Sequence, residues 1–245
     1  MKITTIINYC TNDYRFINKC INSVIPFSNQ VIIPVSDHFF DGTPENRELL
    51  EKTYKENPTV EFIEYEWSKG FQNQYWVIMA RIIGMNSVKE DSDWILFLDS
   101  DEIIDTESFI KLIPTIENYD SIKLGCYYYF REPIYRAKSF EDSIVLVKKN
   151  LVDINPNLKE DREQMHEMLT TQNKKRMVLY NNTPTIHHYS WVRTKEEMLK
   201  KVNTWGHNKD RNWVSLVEEE FSRPFNGKDF IHGYQYDTVE NTYNL

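Results

Sequence analysis

The sequence predicts an α/β protein with a mostly parallel central sheet and helices on both faces. In residues 1–120, short apolar runs alternate with longer stretches in which apolar residues recur at helical spacing. This alternation is typical of a parallel sheet that is covered by helices. The run 94–98, Trp-Ile-Leu-Phe-Leu, is apolar throughout, which indicates a strand that is buried on both faces.

The elements of residues 1–120 follow from these patterns in chain order. Four apolar runs predict strands, at 3–8, 30–36, 60–65 and 94–98. Three stretches with helical spacing predict helices, at 14–24, 75–88 and 106–113. We expect Pro114 to end the last of these helices. Thr43 stands before Pro44, so a further helix is predicted to begin there, with Thr43 as its N-cap and Pro44 in its first position.

The pattern changes after residue 120. Three apolar runs predict the strands of a mixed or antiparallel extension, at 123–131, 143–148 and 184–189. Residues 153–175 are polar and are expected to be rich in loops. The segment from Thr194 to Glu197 has the sequence of a capping box and predicts a helix. The pattern weakens from 208 to 245, and no Gly/Ser/Pro-rich linker divides the chain, so we expect one domain over 1–245.

Charge and glycine content exclude several classes of function. Lys plus Arg total 29 and Asp plus Glu total 37, which gives a formal net charge of −8. An acidic chain without a block of Lys and Arg is a poor match for binding a nucleic-acid backbone. The 7 glycines form neither the G-x-G-x-x-G spacing of a dinucleotide-binding loop nor a P-loop.

The cysteine content and the length of the apolar runs indicate in which cellular compartment the protein is found. Three cysteines without a C-x-x-C pair favour buried thiols in a reducing compartment over a disulfide framework or a zinc site. No apolar run approaches the ~18 residues that a membrane span needs, and the N-terminus lacks the character of a signal peptide. We therefore expect a soluble cytoplasmic protein.

Two carboxylates follow the buried strand at 94–98. The motif is Asp99-Ser100-Asp101, with a small residue between the acids. Open α/β sheets bind ligands at the carboxyl ends of their strands, and hard divalent ions prefer oxygen ligands that they share with substrate phosphates. We interpret the motif as a divalent-cation site. The alternative is a solvated turn that caps the following helix.

A second polar segment, 36–43, follows the strand at 30–36. Asp37 lies at the strand end, where a carboxylate can accept a hydrogen bond from a nucleobase or a ribose. Asp41 is better explained as a brace of the turn before Thr43. Asp37 is therefore the candidate for ligand binding.

Two adjacent histidines, His187 and His188, lie in the predicted strand at 184–189. Neighbours on a strand point to opposite faces, so only one of them can face a given site. A neutral imidazole is a good ligand for Mn²⁺ or a similar ion. The alternative is an ordinary pair of histidines near an aromatic surface.

A dense set of acids lies in the polar segment 161–167. A loop over the sheet edge often supplies a general base, and the three candidates are Asp161, Glu163 and Glu167. For most of these acids a solvated turn is the simpler explanation.

In their order along the chain, these segments resemble family 2 glycosyltransferases of the GT-A fold. The resemblance runs from residue 3 to about residue 207. Residues 31–43 resemble the family's second strand and its "DDGSTDGT" loop, and 93–102 is the closest match. His166-Glu167 and 188–190 resemble the "HE" and "HYS" pieces of the branch that includes lipopolysaccharide-core transferases. The resemblance implies a Rossmann-like, mostly parallel sheet.

The resemblance also implies ligands. A nucleoside-diphosphate sugar, with a UDP-sugar favoured, would be bound by six residues: Asn8, Tyr9, Asp37, Arg81, Asp99 and Ser100. Three residues would hold Mn²⁺ or Mg²⁺: Asp99, Asp101 and His188. Arg81 would pair with a carboxylate or reach the diphosphate; a salt bridge on the helix surface is the alternative.

The implied reaction moves the sugar to a hydroxyl of a glycan, lipid-linked or protein-linked acceptor, with inversion. Glu167 is the favoured base because it belongs to the "HE" piece, and Asp161 is the second choice. Residues 1–120 would form the donor-binding half, 121–207 the acceptor and catalytic half, and 208–245 a C-terminal extension.

Two other classes share part of this pattern. Phosphatases of the haloacid dehalogenase type also carry Asp-x-Asp after an apolar strand, but they place it on the first strand, whereas here it follows the fourth. A non-catalytic sugar-binding module with the same fold would not need both the Asp-x-Asp motif and a histidine suited to a metal.

Overall fold

The computed structural model of the protein describes residues 1–71, 73–152, 169–179, 183–205 and 208–245. These ranges contain ten strands: β1 (Ile3–Asn8), β2 (Gln30–Ser36), β3 (Glu61–Tyr65), β4 (Trp94–Asp99), β5 (Glu102–Ile104), β6 (Ser121–Phe130), β7 (Glu132–Lys148), β8 (Arg176–Leu179), β9 (Ile186–Trp191) and β10 (Tyr236–Thr238). They also contain six α-helices: α1 (Tyr14–Val24), α2 (Arg47–Glu56), α3 (Asn73–Asn86), α4 (Thr106–Ile116), α5 (Lys195–Thr204) and α6 (Trp213–Phe221). In these ranges, no helix has the length and apolar character needed to cross a membrane.

The strands form one mixed sheet in the order β3-β2-β1-β4-β7-β6-β9-β5, with β8 beside β6 and β10 beside β7. Strands β3, β2, β1 and β4 run parallel, so their carboxyl ends share one edge. Strand β7 runs antiparallel to β4 and begins the mixed part. The predicted α/β class, with a mostly parallel first part and a mixed extension, is therefore confirmed.

Helices cover both faces of the parallel strands because each strand carries apolar side chains on both of its faces. Leu96 of β4 belongs to an apolar cluster with α1, α2 and α4, whereas its neighbour Phe97 packs with Ile78 of α3. Gly84 lets α3 approach the sheet closely, since a Cβ atom there would lie 2.6 Å from the side chain of Ile6. Burying each large apolar side chain stabilises the fold by about 1.5–3 kcal/mol.

A third apolar cluster joins the C-terminal residues to the mixed part of the sheet. Trp213 and Val217 of α6 pack there with Met198 of α5 and Trp191 of β9. The capping box predicted at Thr194 and Glu197 is present at the start of α5. These contacts fix α5, which contributes side chains to the site described below.

The start of α2 differs from the prediction. The N-cap is Asn46, whose side chain accepts the backbone N–H of Leu49, so the helix begins three residues after Pro44. Thr43 lies three residues before this N-cap and belongs to the preceding turn, where its hydroxyl donates to Asp41 Oδ1 at 2.7 Å. A tight local turn therefore takes the place of the predicted first helical turn.

The end of α4 also differs, because the helix continues past Pro114 to Ile116. Proline lacks the N–H that would bond to the carbonyl of Ile110. Ile110 lies on the exposed side of the helix, where water can hydrate that carbonyl, so the helix tolerates the proline. The sequence patterns also missed α6 and three strands, β5, β8 and β10; these strands have only three or four residues, and such short elements carry little periodicity.

Candidate functional site

A cavity of about 270 Å³ opens at the carboxyl edge of the parallel strands. Five residues predicted as ligands line it: Asn8, Tyr9, Asp99, Asp101 and His188. Asn8 ends β1 directly beside Asp99, the last residue of β4. The cavity therefore occupies the position at which open α/β sheets bind ligands.

Asp99 is held from two sides. Nη2 of Arg81, a residue of α3 that is 1% exposed, lies 3.2 Å from Asp99 Oδ1. The backbone N–H of Asp99 donates to Oε2 of the buried Glu102 at 2.8 Å. The buried guanidinium of Arg81 thus pairs with a partly exposed carboxylate, and this position is not that of a salt bridge on the helix surface.

Asp101 is 3% exposed and faces three basic side chains. His188 Nε2 lies 3.5 Å from Oδ1, while Arg193 Nη2 and Lys201 Nζ lie 3.5 and 3.6 Å from Oδ2. Burial by itself would raise the pKa of Asp101, but the Lys201 ammonium, followed by His188 and Arg193, holds that pKa well below its ordinary value. Asp101 is therefore a carboxylate at any physiological pH.

Arg193 connects Asp101 to the loop after β1. Its guanidinium forms an ion pair with Asp13 and donates to the backbone carbonyls of Asn12 and Ser190 at 2.8 and 2.9 Å. The hydroxyl of Ser100 donates to the same Asp13 at 2.9 Å. Ser100 is buried and lies outside the cavity lining, so its visible contact is with Asp13.

His187 and His188 point in opposite directions, as neighbours on a strand must. His188 faces Asp101, whereas His187 Nδ1 lies 2.8 Å from the hydroxyl of Tyr129. Burial lowers the pKa of His187 to about 4, so this ring is neutral at pH 7. In the antiparallel pairing of β5 with β9, His188 lies opposite Glu102, the residue after Asp101. This register brings His188 to the site.

Asp37 lies beside the cavity and not in its lining. Its Oδ1 accepts the backbone N–H of Trp67 at 2.8 Å and lies 2.9 Å from His38 Nδ1. Burial works to raise the pKa of Asp37, but the bonds from His38 and Trp67 outweigh it, so the pKa is below its ordinary value. His38 itself lines the cavity and connects Asp37 to it.

Asp41 braces the turn that precedes α2. Its Oδ1 accepts both the backbone N–H and the hydroxyl of Thr43, at 2.9 and 2.7 Å. Between them, Gly42 has a φ of +84° and packs against the ring of Trp67, where a Cβ atom would lie at 2.5 Å. The structural role predicted for Asp41 is confirmed.

Three charged residues of the site carried no signal in the sequence. Glu45 lines the cavity and accepts the backbone N–H of Thr11 at 3.2 Å, and burial raises the pKa of its carboxyl group. Arg193 and Lys201 are the other two. Each of the three contacts a partner that is distant in the sequence, and the spacing of neighbouring residues does not predict such a contact.

The candidate bases Asp161, Glu163 and Glu167 lie outside the residues that the structure describes. Their roles remain predictions from the sequence.

The donor atoms at Asp101 suit a divalent cation of the manganese type. Among the residues that the structure describes, Oδ1 of Asp101 is buried and has no hydrogen-bond partner, and the imidazole nitrogen of His188 lies 3.5 Å away. Carboxylate oxygen and imidazole nitrogen are ordinary ligands of such ions. Across the described ranges, no group of three or more His, Cys, Asp or Glu side chains converges on one point, so a cation here would need ligands beyond these side chains.

Comparison with known proteins identifies a family. The sequence model described as "Glycosyl transferase family 2" matches residues 5–198, which is most of the chain. No curated protein sequence matches this one.

Three solved structures illustrate what the chain is similar to. The mannosyltransferase PcManGT from Pyrobaculum calidifontis, in complex with GDP-Man and Mn²⁺, is 10% identical, with a TM-score of 0.51 over 83% of this chain and 61% of that one. S. aureus TarS 1–349 is 14% identical, with a TM-score of 0.48 over 91% and 73% of the two chains. The 4-diphosphocytidyl-2C-methyl-D-erythritol synthase of Anaerococcus prevotii is 10% identical, with a TM-score of 0.49 over 91% and 96%. At 10% identity, the similarity to the mannosyltransferase concerns the fold alone.

Proposed function

Because the chain belongs to glycosyl transferase family 2, we propose that it transfers a sugar from a nucleoside-diphosphate sugar to an acceptor hydroxyl. The observation that carries the proposal is the convergence of Asp99, Asp101 and His188 on one cavity at the carboxyl edge of the sheet. A phosphatase of the haloacid dehalogenase type is disfavoured, since the Asp-x-Asp motif follows β4 and the chain matches a different family.

The donor would lie across the ends of β1, β2 and β4. Asn8 and Tyr9 line this part of the cavity together with His38 and Tyr65, which provides polar groups and flat rings for a nucleoside. Asp37 would accept a hydrogen bond from the base or the ribose, either directly or through a shift of His38. We favour a UDP-sugar from the resemblance; the mannosyltransferase with the same fold is in complex with GDP-Man.

Asp101 and His188, with Asp99, would hold Mn²⁺ or Mg²⁺. The remaining ligands would be diphosphate oxygens, because the described side chains supply too few. Such an ion acts as a Lewis acid and offsets the charge that develops on the departing diphosphate. The complex of the mannosyltransferase with Mn²⁺ supports this choice of ion.

Side chains of the protein would orient the metal ligands and accept the proton of the acceptor hydroxyl. Arg81 would keep Asp99 oriented through their ion pair, and the β5–β9 pairing would keep the His188 ring in place. Glu167 would take the proton of the acceptor hydroxyl on the face opposite the diphosphate, with Asp161 as the second choice. Attack on that face inverts the anomeric carbon. The acceptor would be a glycan, a lipid-linked or a protein-linked hydroxyl.

A donor screen tests the proposal. UDP- and GDP-sugars are incubated with the protein, with and without Mn²⁺, and release of the nucleoside diphosphate is measured. We expect release from one donor class, dependent on Mn²⁺ and lost in Asp101→Asn, with Asp91→Asn as the matched control because Asp91 is exposed and pairs with Lys2 far from the cavity. Tight nucleotide binding without turnover on any donor or simple acceptor would instead indicate a sugar-binding module.

A further inference from the structure

Lys201 places a cation beside the carboxylate that is proposed to bind the metal. Its Nζ atom lies 3.6 Å from Asp101 Oδ2, its side chain is mostly buried, and it lines the cavity. In the described part of the chain, Asp101 is its one ion-pair partner. The distance exceeds the 2.7–2.9 Å of a strong charge-assisted hydrogen bond, so the contact is a loose one.

Arg193, the other cation beside Asp101 Oδ2, is anchored in a different way. Its ion pair with Asp13 and its bonds to two backbone carbonyls fix the guanidinium. Among the described residues, the ammonium group of Lys201 has no second ion pair and no hydrogen bond; it lies 5.9 Å from the centre of the Trp191 ring and ends a side chain with four rotatable bonds. Of the two cations, Lys201 is the one that can leave Asp101 at low cost.

A divalent ion and an ammonium group compete for the same carboxylate. While Lys201 faces Asp101, a metal ion that arrives alone meets a carboxylate whose charge is already offset and a cation at close range. A nucleoside diphosphate changes this balance, because its phosphate oxygens offer Lys201 a second anionic partner inside the same cavity.

We propose that Lys201 is the counter-ion of Asp101 in the donor-free protein and moves to the donor diphosphate when the metal binds Asp101. This inference rests on the proposed function and adds a means of regulation to the same site. Metal and nucleotide binding are then coupled, and each strengthens the other by the same factor. The exchange keeps free metal from occupying the site without a donor.

Calorimetric titration measures this coupling without any turnover. Mn²⁺ is titrated into the protein alone and with saturating UDP, and UDP is titrated with and without Mn²⁺; GDP is used in parallel. For the wild type we expect Mn²⁺ to bind at least tenfold more tightly when the nucleotide is present. In Lys201→Met, which removes the charge and keeps the length, we expect Mn²⁺ alone to bind at least tenfold more tightly than in the wild type, and the coupling factor to fall to threefold or less.

Lys195→Met is the matched control, since Lys195 lies on the same helix and pairs with Glu218 at the surface; its coupling factor should equal that of the wild type. Lys201→Gln replaces Lys201→Met if the methionine variant does not fold. If Lys201→Met has wild-type affinity for Mn²⁺ alone and wild-type coupling, the inference is wrong while the proposed function stands. If the wild type binds neither UDP nor GDP with Mn²⁺, the proposed function fails and the inference fails with it.

Discussion

Oδ1 of Asp101 and Nε2 of His188 lie 3.5 Å apart, although one residue follows β4 and the other lies in β9. Two backbone contacts set this distance. Glu102 pairs with His188 across β5 and β9, and the N–H of Tyr189 donates to the carbonyl of Asp101 at 2.8 Å. The approach of imidazole to carboxylate is therefore fixed by strand register and not by flexible side chains.

Removing the charge of Asp101 should abolish the donor site and weaken the fold. In Asp101→Asn we expect nucleotide release to fall by about 10²-fold or more, since a preorganised charge of this kind contributes a few kcal/mol to the transition state. Arg193 keeps its ion pair with Asp13, whereas Lys201 loses the charge of Asp101, so we expect the free energy of unfolding to fall by about 1–3 kcal/mol. Release assays and urea denaturation measure the two effects. Full activity of the wild type in excess EDTA would contradict the role of a metal.

Substitution of His188 should impair ligand binding, whereas substitution of His187 should impair stability. His188→Ala is expected to lose Mn²⁺-dependent nucleotide binding at least tenfold and to keep its fold. His187→Ala is expected to bind nucleotide normally and to be less stable, because it removes a buried ring and its contact with Tyr129. Titration calorimetry and thermal denaturation distinguish these results. The reverse pattern would show that His187 serves the site.

The stability of the protein should fall between pH 6.5 and pH 4 in part because of His187. Its folded pKa of about 4 lies below the ordinary 6.5, so in this window the unfolded chain binds a proton that the folded protein does not. The free energy of unfolding therefore decreases as the pH falls, by about 3 kcal/mol at most from this group. His187→Phe should have a shallower pH dependence in urea denaturation. Identical slopes for wild type and variant would contradict the assignment.

Asp37 should affect the nucleotide and leave the metal ligands unchanged. In Asp37→Asn we expect UDP or GDP affinity to fall by about tenfold, because a hydrogen bond accepted by a charged carboxylate is roughly twice as strong as one accepted by a neutral amide. Asp41→Asn is the control, since its side-chain oxygen can still accept from Thr43. A nucleotide-bound structure in which Asp37 does not contact the base or ribose would refute this role.

The base should be revealed by a loss of turnover without a loss of donor affinity. Removal of a general base costs about 10²–10⁴ in rate, so Glu167→Gln should keep nucleotide affinity and lose turnover by that factor. Single-turnover kinetics with a fixed donor measure the chemical step. If Glu167→Gln is normal and Asp161→Asn is inactive, the role belongs to Asp161.

Local patterns in the sequence determined the parallel part of the sheet and the position of the cavity. The bounds of β1, β2 and α1 coincide with the predicted ones, because apolar periodicity over six to eleven residues reflects burial on one or two faces. The Asp-x-Asp motif after an apolar strand indicated the carboxyl edge for the same reason. The narrower resemblance to the lipopolysaccharide-core branch, the division of the chain into functional halves and the cytoplasmic location remain predictions.

The tertiary structure decided which charges meet at Asp101. Arg193 joins Asp13 to Asp101, and Lys201 reaches the same carboxylate from α5; nothing near these residues in the sequence marks them as partners. An ion pair between distant segments depends on the register of β5 against β9 and on the packing of α5 against Trp191. The spacing of apolar residues indicates which face of a segment is buried. The site depends on how distant segments pack against one another, and this packing is visible only in the tertiary structure.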